Sequence, residues 1–318
     1  MLRNWLTERT PRLWVLWAAS RPSQLALITL VYFLGVGLAV AGEPVVREPF
    51  AISTLREAVI IPVGLGLFTV LLGAVSIHYA NEYVDVETDR QTSRTAFSGG
   101  SGALPETGLE RGVLIWPVVI VTALTTTVGL GGLYLGLLDP LATGLLMVIL
   151  VLGLGYSLPP LQLMSRGLGE VTNVLLGGIL LPLFGVAVVA RPGVRTVLAV
   201  IPFALLVGCN LLATHWPDRT ADEAVGKRTL AVRWSTDRIR LAYTVLGALA
   251  VGIPLLLWKS GVFPLPVLLA HLLPLPFLGW GWIVLTRQRN PLPSVAAMVT
   301  LGITATAAWW GVGLGWFG

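Results

Sequence analysis

Long apolar runs separated by short polar connections dominate this chain of 318 residues. The run AVIIPVGLGLFTVLLGAVSIHYA, residues 58–80, is long enough at about 1.5 Å per residue to cross a hydrocarbon core roughly 30 Å thick. The apolar positions are continuous rather than alternating, which favours helices over the strands of a membrane barrel. The pattern predicts an all-α membrane protein with nine transmembrane helices at about 24–42, 58–79, 112–134, 140–156, 168–190, 196–215, 238–258, 262–286 and 292–316.

Composition and charge agree with this pattern. The chain is 55% hydrophobic and 12% charged, which is too apolar for a soluble protein of this length. Its net charge of +5 has a topological explanation, because 16 of the 21 Lys and Arg residues lie on the N-terminal side or in and beside the even-numbered loops. This bias predicts a multi-pass plasma-membrane protein with a cytoplasmic N-terminus, and no nucleic-acid partner. The single Cys209 excludes an internal disulfide and a multi-cysteine metal site.

The N-terminal segment, residues 1–24, lacks a small-residue cleavage pattern after its basic start. It is therefore expected to be an interfacial lead-in anchored by tryptophans, and not a signal peptide. No soluble domain or low-complexity tail is evident, so we expect one domain that spans residues 1–318.

Two long loops, residues 80–111 and 216–237, lie on the basic side and hold most of the acidic residues. The other connections are mostly short, so function is expected in these two loops. In the first loop, Asn81, Asp85 and Asp89 follow i, i+4, i+8 spacing. This spacing predicts that they share one face of a helix that continues out of the second span.

The first loop has the chemistry of a cation site. Two carboxylates one turn apart, together with an amide oxygen, offer the hard oxygen ligands that suit Mg2+. Glu82 and Glu87 lie off this face and are expected to be solvated or structural. The alternative is a solvated helix end whose acids only mark the membrane interface.

The second long loop contains a similar pair of acidic residues. Asp218 and Asp222 again have i, i+4 spacing, and each lies 133 residues after its counterpart, Asp85 or Asp89. Two carboxylate pairs that face one cavity would repel each other unless cations bridged them. The sequence therefore predicts a pair of bound divalent ions, and the absence of neighbouring Cys ligands argues against zinc.

Cations accompany both acidic clusters: Arg90 and Arg94 follow the first, and Lys227 and Arg228 follow the second. Metal-binding acids with nearby Arg and Lys side chains suit a polyanionic leaving group such as diphosphate. The glycine-rich segment 97–105 is expected to contact phosphate or to form a lid, with a simple linker as the alternative.

Three further groups stand near these loops. His78 and His215 each precede a motif residue by three positions, and they are expected to pack at the interface or to support the motif by hydrogen bonding. In the third basic-side loop, residues 156–170, Tyr156 lies at the membrane edge and Arg166 is the only cation. Glu170 falls in the first turn of the next helix, where it complements the helix dipole.

Together these residues resemble the UbiA superfamily of intramembrane prenyltransferases. That superfamily is marked by an N-x-x-x-D-x-x-x-D motif after its second helix and a D-x-x-x-D motif after its sixth, which here are Asn81–Asp85–Asp89 and Asp218–Asp222. The sequences SRP (20–22), YSLPP (156–160), RGLGE (166–170) and GKRTLAVR (226–233) are similar to further landmarks of the superfamily.

The resemblance implies nine helices around a central cavity with a polar cap. It also implies Mg2+-dependent transfer of a prenyl group from an isoprenyl diphosphate to an acceptor, usually aromatic, in the lipid bilayer. By position in the motifs, Asp85, Asp89, Asp218 and Asp222 would hold the Mg2+–diphosphate. The residues that would assist them are Asn81 beside the first pair, Arg94, Lys227, Arg90, Arg228 and Arg166 at the diphosphate, and Tyr156 near the reacting carbon.

The chain departs from the superfamily pattern at the second motif. Many members carry Asn one turn before the second pair, where this chain has Thr214, and Asn210 lies one turn further back. Pro217, directly before Asp218, is expected to distort the helix there.

Two other function classes fit parts of the pattern. A secondary transporter would place its acids near helix midpoints, whereas these lie at helix ends on one side. A non-catalytic lipid-binding or assembly protein would not need two intact motifs. Within the superfamily, the leading acceptor is a quinone precursor such as 1,4-dihydroxy-2-naphthoate or 4-hydroxybenzoate, with a chlorophyllide or a glyceryl-phosphate ether lipid as alternatives.

Overall fold

The computed structural model describes residues 9–42, 59–91 and 100–317, and Arg94 lies outside these ranges. The regular structure of the described residues is helical, with no strand among them. The helices are α1 (Pro11–Ala19), α2 (Pro22–Gly42), α3 (Ile61–Gln91), α4 (Ala103–Thr107), α5 (Ile115–Tyr134), α6 (Pro140–Ser157), α7 (Gly169–Asn173), α8 (Leu181–Ala187), α9 (Val194–His215), α10 (Arg219–Ala224), α11 (Leu230–Arg233), α12 (Thr236–Lys259), α13 (Leu265–Leu272), α14 (Leu275–Val284) and α15 (Leu292–Gly313). A 3-10 turn, Arg111–Leu114, precedes α5, and a π-helical stretch, Val174–Leu180, joins α7 to α8.

The described ranges contain nine helical stretches that are long and apolar enough to span a membrane. This confirms the predicted all-helical membrane fold and the number of spans. α1 with α2, α7 with α8, and α13 with α14 each form one such stretch.

Local chemistry explains where the spans depart from single regular helices. Pro274 has no N–H to donate to the carbonyl of Ala270, and the eighth span breaks there between α13 and α14. Arg21 adopts a left-handed backbone with φ +53°, which turns the chain between α1 and α2.

The acidic motifs lie at the ends of α3 and α9. α3 continues about three turns past the predicted membrane edge at residue 79, which confirms the expected extension that carries Asp85 and Asp89. α9 ends at His215, two residues before Pro217, and α10 begins at Arg219. The distortion expected from Pro217 is therefore a complete break in the helix.

Two groups of apolar side chains hold these elements together. The larger core packs α2 against α8 and α15, and α9 against α12 and the π-helical stretch. A smaller cluster, formed by Val15, Ala19, Tyr79, Leu104 and Leu114 with their neighbours, packs α1 and α4 against the outer part of α3. The helix that carries the first motif is therefore supported by the N-terminal helix on one side.

Candidate functional site

Lys227 joins the two acidic motifs. Its Nζ donates to Oδ1 of Asp85 at 3.0 Å and lies 3.6 Å from Oδ1 of Asp222. The two carboxylate oxygens are therefore no farther apart than the sum of these distances. All three side chains are largely buried, with Asp85 the most exposed at 15%. The predicted convergence of the two motifs thus holds for Asp85 and Asp222.

Burial and charge act against each other in this group. Burial raises the pKa of the Asp222 carboxyl, and the positive charge of Lys227 offsets this effect only in part. Burial disfavours the ammonium of Lys227, but Asp85 and Asp222 outweigh it and raise the pKa of Lys227 above its ordinary value. Lys227 therefore carries its charge at neutral pH, between two carboxylates.

The backbone after α10 explains how Lys227 reaches across. The N–H of Lys227 donates to the carbonyl of Asp222 at 2.9 Å, so the chain turns back directly after the helix. Gly226 occupies that turn with φ +76°, a conformation that suits glycine. The side chain of Lys227 then points toward α3 and Asp85.

The other two aspartates flank this group. Asp89 is partly buried one turn beyond Asp85, and its carboxylate lies against Gly100, where a Cβ atom would overlap Oδ2 of Asp89. Asp218 precedes α10, and its carbonyl accepts from the N–H of Asp222 at 2.9 Å. Within the ranges the structure describes, no three acidic, histidine or cysteine side chains converge as a ready metal-binding group. The motifs are linked through Lys227 rather than assembled as four carboxylates.

Asn81 and Tyr156 lie where the first motif meets the third basic-side loop, residues 156–170. Oδ1 of Asn81 accepts a hydrogen bond from the buried hydroxyl of Ser157 at 2.6 Å, which fixes the orientation of the amide. Tyr156 is buried, and it lines a cavity of about 170 Å³ together with Ser157, Lys227 and neighbouring residues. Tyr156 therefore lies beside the same cavity as Lys227.

Three of the predicted arginines, Arg90, Arg166 and Arg228, lie on the surface. Arg90 pairs with Glu87 at 3.2 Å, and both side chains are more than half exposed. Arg166 is exposed and donates to the carbonyl of Pro160 at 2.8 Å within its own loop. Arg228 is also exposed. Among the predicted cations within the described ranges, Lys227 thus lies deepest among the acidic groups.

Two buried glutamates, Glu82 and Glu170, make contacts that the sequence did not specify. Glu82 is only 1% exposed, and its carboxylate accepts from Arg21 at 3.3 Å, from the N–H of Ser101 at 3.1 Å and from the Ser101 hydroxyl. Glu82 lies seven residues before Asp89 in α3, which places both on the same side of the helix, so the expectation that Glu82 lies off the motif face was wrong.

Glu170 does more than complement a helix dipole. Its Oε1 accepts from the N–H of Leu230 at 2.6 Å and lies 3.1 Å from Nδ1 of His215. The ring of His215 is thus hydrogen-bonded to Glu170, which lies outside the second motif. His78 is buried, with Nδ1 2.8 Å from the carbonyl of Ser20.

The sequence matches a protein-family model over most of its length. Residues 50–312 match the model of the UbiA prenyltransferase family. The chain belongs to the UbiA prenyltransferase family. Membership confirms the resemblance drawn from the two aspartate motifs, and it confirms the enzyme class, a prenyltransferase, and the integral membrane location. Comparison with proteins of curated function finds no matching sequence.

Solved structures share the UbiA fold over almost the whole chain. A UbiA homolog from Archaeoglobus fulgidus bound to GPP and Mg2+ superposes with a TM-score of 0.67 at 15% identity, covering 95% of this chain and 99% of that one. A structure of digeranylgeranylglyceryl phosphate synthase gives 0.63 at 15% identity, with 96% and 99% covered. The apo structure of a UbiA homolog from Aeropyrum pernix K1 gives 0.63 at 16% identity, with 89% and 96% covered.

Proposed function

We propose that this UbiA-family chain transfers a prenyl group from an isoprenyl diphosphate to an aromatic quinone precursor such as 1,4-dihydroxy-2-naphthoate or 4-hydroxybenzoate, with Mg2+ as cofactor. One observation carries the proposal: the ammonium of Lys227 lies between Asp85 of the first motif and Asp222 of the second. This contact brings together carboxylates that can hold Mg2+ and a cation that can bind a diphosphate. The UbiA homolog bound to GPP and Mg2+ supports the donor class.

The donor set fits Mg2+. The four aspartates of the motifs, Asp85, Asp89, Asp218 and Asp222, and the amide oxygen of Asn81 are hard oxygen ligands, and the Lys227 ammonium already stands between two of them as a positive charge. When bound, Mg2+ neutralises charge on the departing diphosphate. We assign the four aspartates to the metal.

The remaining residues of the site have separate tasks. Lys227 contacts the diphosphate and stabilises the negative charge that develops as the allylic C–O bond breaks. Tyr156 borders the cavity beside Lys227 and faces the reacting carbon. The exposed Arg90, Arg166 and Arg228 supply a positive field at the entrance that attracts the anionic donor.

The surroundings suit a reactive allylic cation. The helix interiors are apolar, so they keep water from the cation and accept the prenyl tail. The excess of Lys and Arg on the side of both motifs supports a cytoplasmic site in the plasma membrane, with a cytoplasmic N-terminus. We propose that residues 1–318 act as a single domain.

The first test is release of diphosphate from geranylgeranyl diphosphate by the purified protein, with and without Mg2+. Asp85→Ala and Asp218→Ala are expected to lower the rate at least about 100-fold, since each would remove a ligand of the Mg2+ that stabilises the leaving group. Asp237→Ala, at an exposed aspartate in the first turn of α12, is the control and should retain wild-type activity. Wild-type rates in the Asp85 and Asp218 variants would contradict the assignment of the active site to the two aspartate motifs.

A panel of acceptors then decides the product. The quinone-precursor proposal predicts that dihydroxynaphthoate or hydroxybenzoate yields a prenylated product detectable by mass spectrometry. Product formation with geranylgeranylglyceryl phosphate alone would favour an ether-lipid synthase, the activity in the name of one similar structure. Product formation with a chlorophyllide alone would place the acceptor in a third class.

A further inference from the structure

We propose that Glu82 is a positioning residue that fixes the carboxylate of Asp89 by anchoring the chain segment that returns to it. The inference rests on the proposed function, because the purpose of that carboxylate is metal binding. Glu82 is 1% exposed, so its carboxylate is almost completely withdrawn from water. A buried carboxylate in such a place is stable only when charged or polar donors surround it.

The donors come from two separate parts of the chain. Arg21, at the turn between α1 and α2, supplies the positive charge at 3.3 Å. Ser101 supplies its backbone N–H at 3.1 Å and its hydroxyl. The hydroxyl of Ser101 also accepts from the N–H of Ala103 at 3.1 Å, at the start of α4. Glu82 therefore ties the N-terminal turn and the beginning of α4 to the motif helix.

The backbone at Arg21 is consistent with a functional constraint. Its φ of +53° is one that residues other than glycine rarely adopt. Neighbouring bonds hold the turn: the N–H of Arg21 donates to Ala18 at 3.0 Å, and Nδ1 of His78 lies 2.8 Å from the carbonyl of Ser20. The guanidinium is thus aimed at Glu82 by a backbone conformation that costs energy.

Gly100 connects the contacts of Glu82 to Asp89 of the first motif. This glycine precedes Ser101, has φ +62°, and lies so close to Asp89 that a Cβ atom would overlap Oδ2. When Glu82 holds Ser101, the Gly100 backbone forms one wall of the space that the Asp89 carboxylate occupies. Glu82 lies on the same side of α3 as Asp89, seven residues earlier, but its own carboxylate is engaged by Arg21 and Ser101.

The test measures metal binding separately from turnover. Purified protein is titrated with Mg2+ in the presence of geranyl S-thiolodiphosphate, an unreactive donor analogue, and the melting temperature is recorded. Glu82→Gln is expected to raise the Mg2+ concentration for half-maximal stabilisation about 10-fold, the usual effect of removing a group that orients a metal ligand. Ser101→Ala should shift it in the same direction, and the exposed Glu110→Gln should not.

Two further variants identify the route. Gly100→Ala adds a methyl group where Oδ2 of Asp89 lies, so it should also raise the Mg2+ midpoint. Arg21→Gln combined with Glu82→Gln should shift the Mg2+ midpoint no further than either change alone, because both act through one contact. If Glu82→Gln does not fold, the Mg2+ midpoints of Ser101→Ala and Gly100→Ala test the proposal in its place.

The possible outcomes distinguish a purely structural role of Glu82 from failure of the proposed function. If Glu82→Gln and Ser101→Ala lower the melting temperature without Mg2+ but leave the Mg2+ midpoint unchanged, Glu82 only supports the fold and the inference is overturned. If the wild-type protein itself shows no Mg2+-dependent stabilisation with the analogue, the proposed function fails, and this inference fails with it.

Discussion

Nζ of Lys227 lies 3.0 Å from Oδ1 of Asp85, although 142 positions separate the two residues in the sequence. The contact crosses from the loop after the sixth span to the end of α3, and both side chains are largely buried. A long lysine side chain loses much rotamer freedom in such a place, so the contact must bring a compensating electrostatic gain. Its chemistry leads to the first prediction.

Lys227→Met is expected to move the acid limb of the pH–rate profile to higher pH. The lysine charge opposes the rise that burial causes in the pKa of Asp222, so its removal raises that pKa further. Asp222 then becomes protonated, and inactive as a ligand, at a higher pH. Lys259→Met replaces an exposed lysine at the end of α12 and should leave the profile in place. An unshifted acid limb in Lys227→Met would contradict this electrostatic account.

Ser157→Ala is expected to weaken catalysis about 10-fold through Asn81. The Ser157 hydroxyl holds the Asn81 amide at 2.6 Å, and groups that orient a ligand typically contribute factors of about 10 to 100. Steady-state rates at several Mg2+ concentrations check this, with a larger loss expected at low Mg2+. Ser260→Ala, which breaks only a local bond to Leu257, is the control. Equal losses at all Mg2+ concentrations would separate Ser157 from the metal.

Glu170→Ala is expected to loosen the segment that carries Lys227. The Leu230 N–H loses its acceptor, and an unsatisfied buried donor costs about 1–3 kcal/mol. Hydrogen exchange over residues 225–234 should become faster while α15 keeps its protection, as local opening predicts. Glu110→Ala, at an exposed glutamate, should change neither region. Unchanged exchange at 225–234 would mean that other contacts hold this segment.

Two adjacent glycines in the π-helical stretch give a matched packing test. A Cβ atom at Gly178 would lie 2.6 Å from Cα of Ala204 in α9, whereas one at Gly177 would meet nothing within 4 Å. Gly178→Ala is expected to lower the free energy of unfolding by about 1–3 kcal/mol through overpacking. Gly177→Ala should be neutral or slightly stabilising. Equal melting temperatures for the two variants would refute the close approach of these helices.

The parts of this molecule that follow from local pattern were predictable. The nine spans depend on the length of apolar runs, and the shared face of Asp85 and Asp89 depends only on helical periodicity. The break after α9 was also available from Pro217, because proline cannot donate the helix hydrogen bond. In each case the deciding residues are close together in the sequence.

The features that depend on distant partners were not predictable. A carboxylate at the outer end of a helix is ordinarily solvated, and only the approach of Arg21 and Ser101 makes the burial of Glu82 possible. Likewise, Arg90 and Lys227 are equivalent cations in the sequence. The turn at Gly226 directs Lys227 inward, whereas Arg90 pairs with Glu87 on the surface.

The length of α3 has a consequence for what happens after the reaction. Its 31 residues extend about 46 Å at 1.5 Å per residue, against a hydrocarbon core of roughly 30 Å, so its acidic end projects beyond the lipid. Under the proposed function, diphosphate is released at this wet end and diffuses into water, while the prenylated product partitions into the bilayer. The two products enter different phases, and this physical separation opposes the reverse reaction.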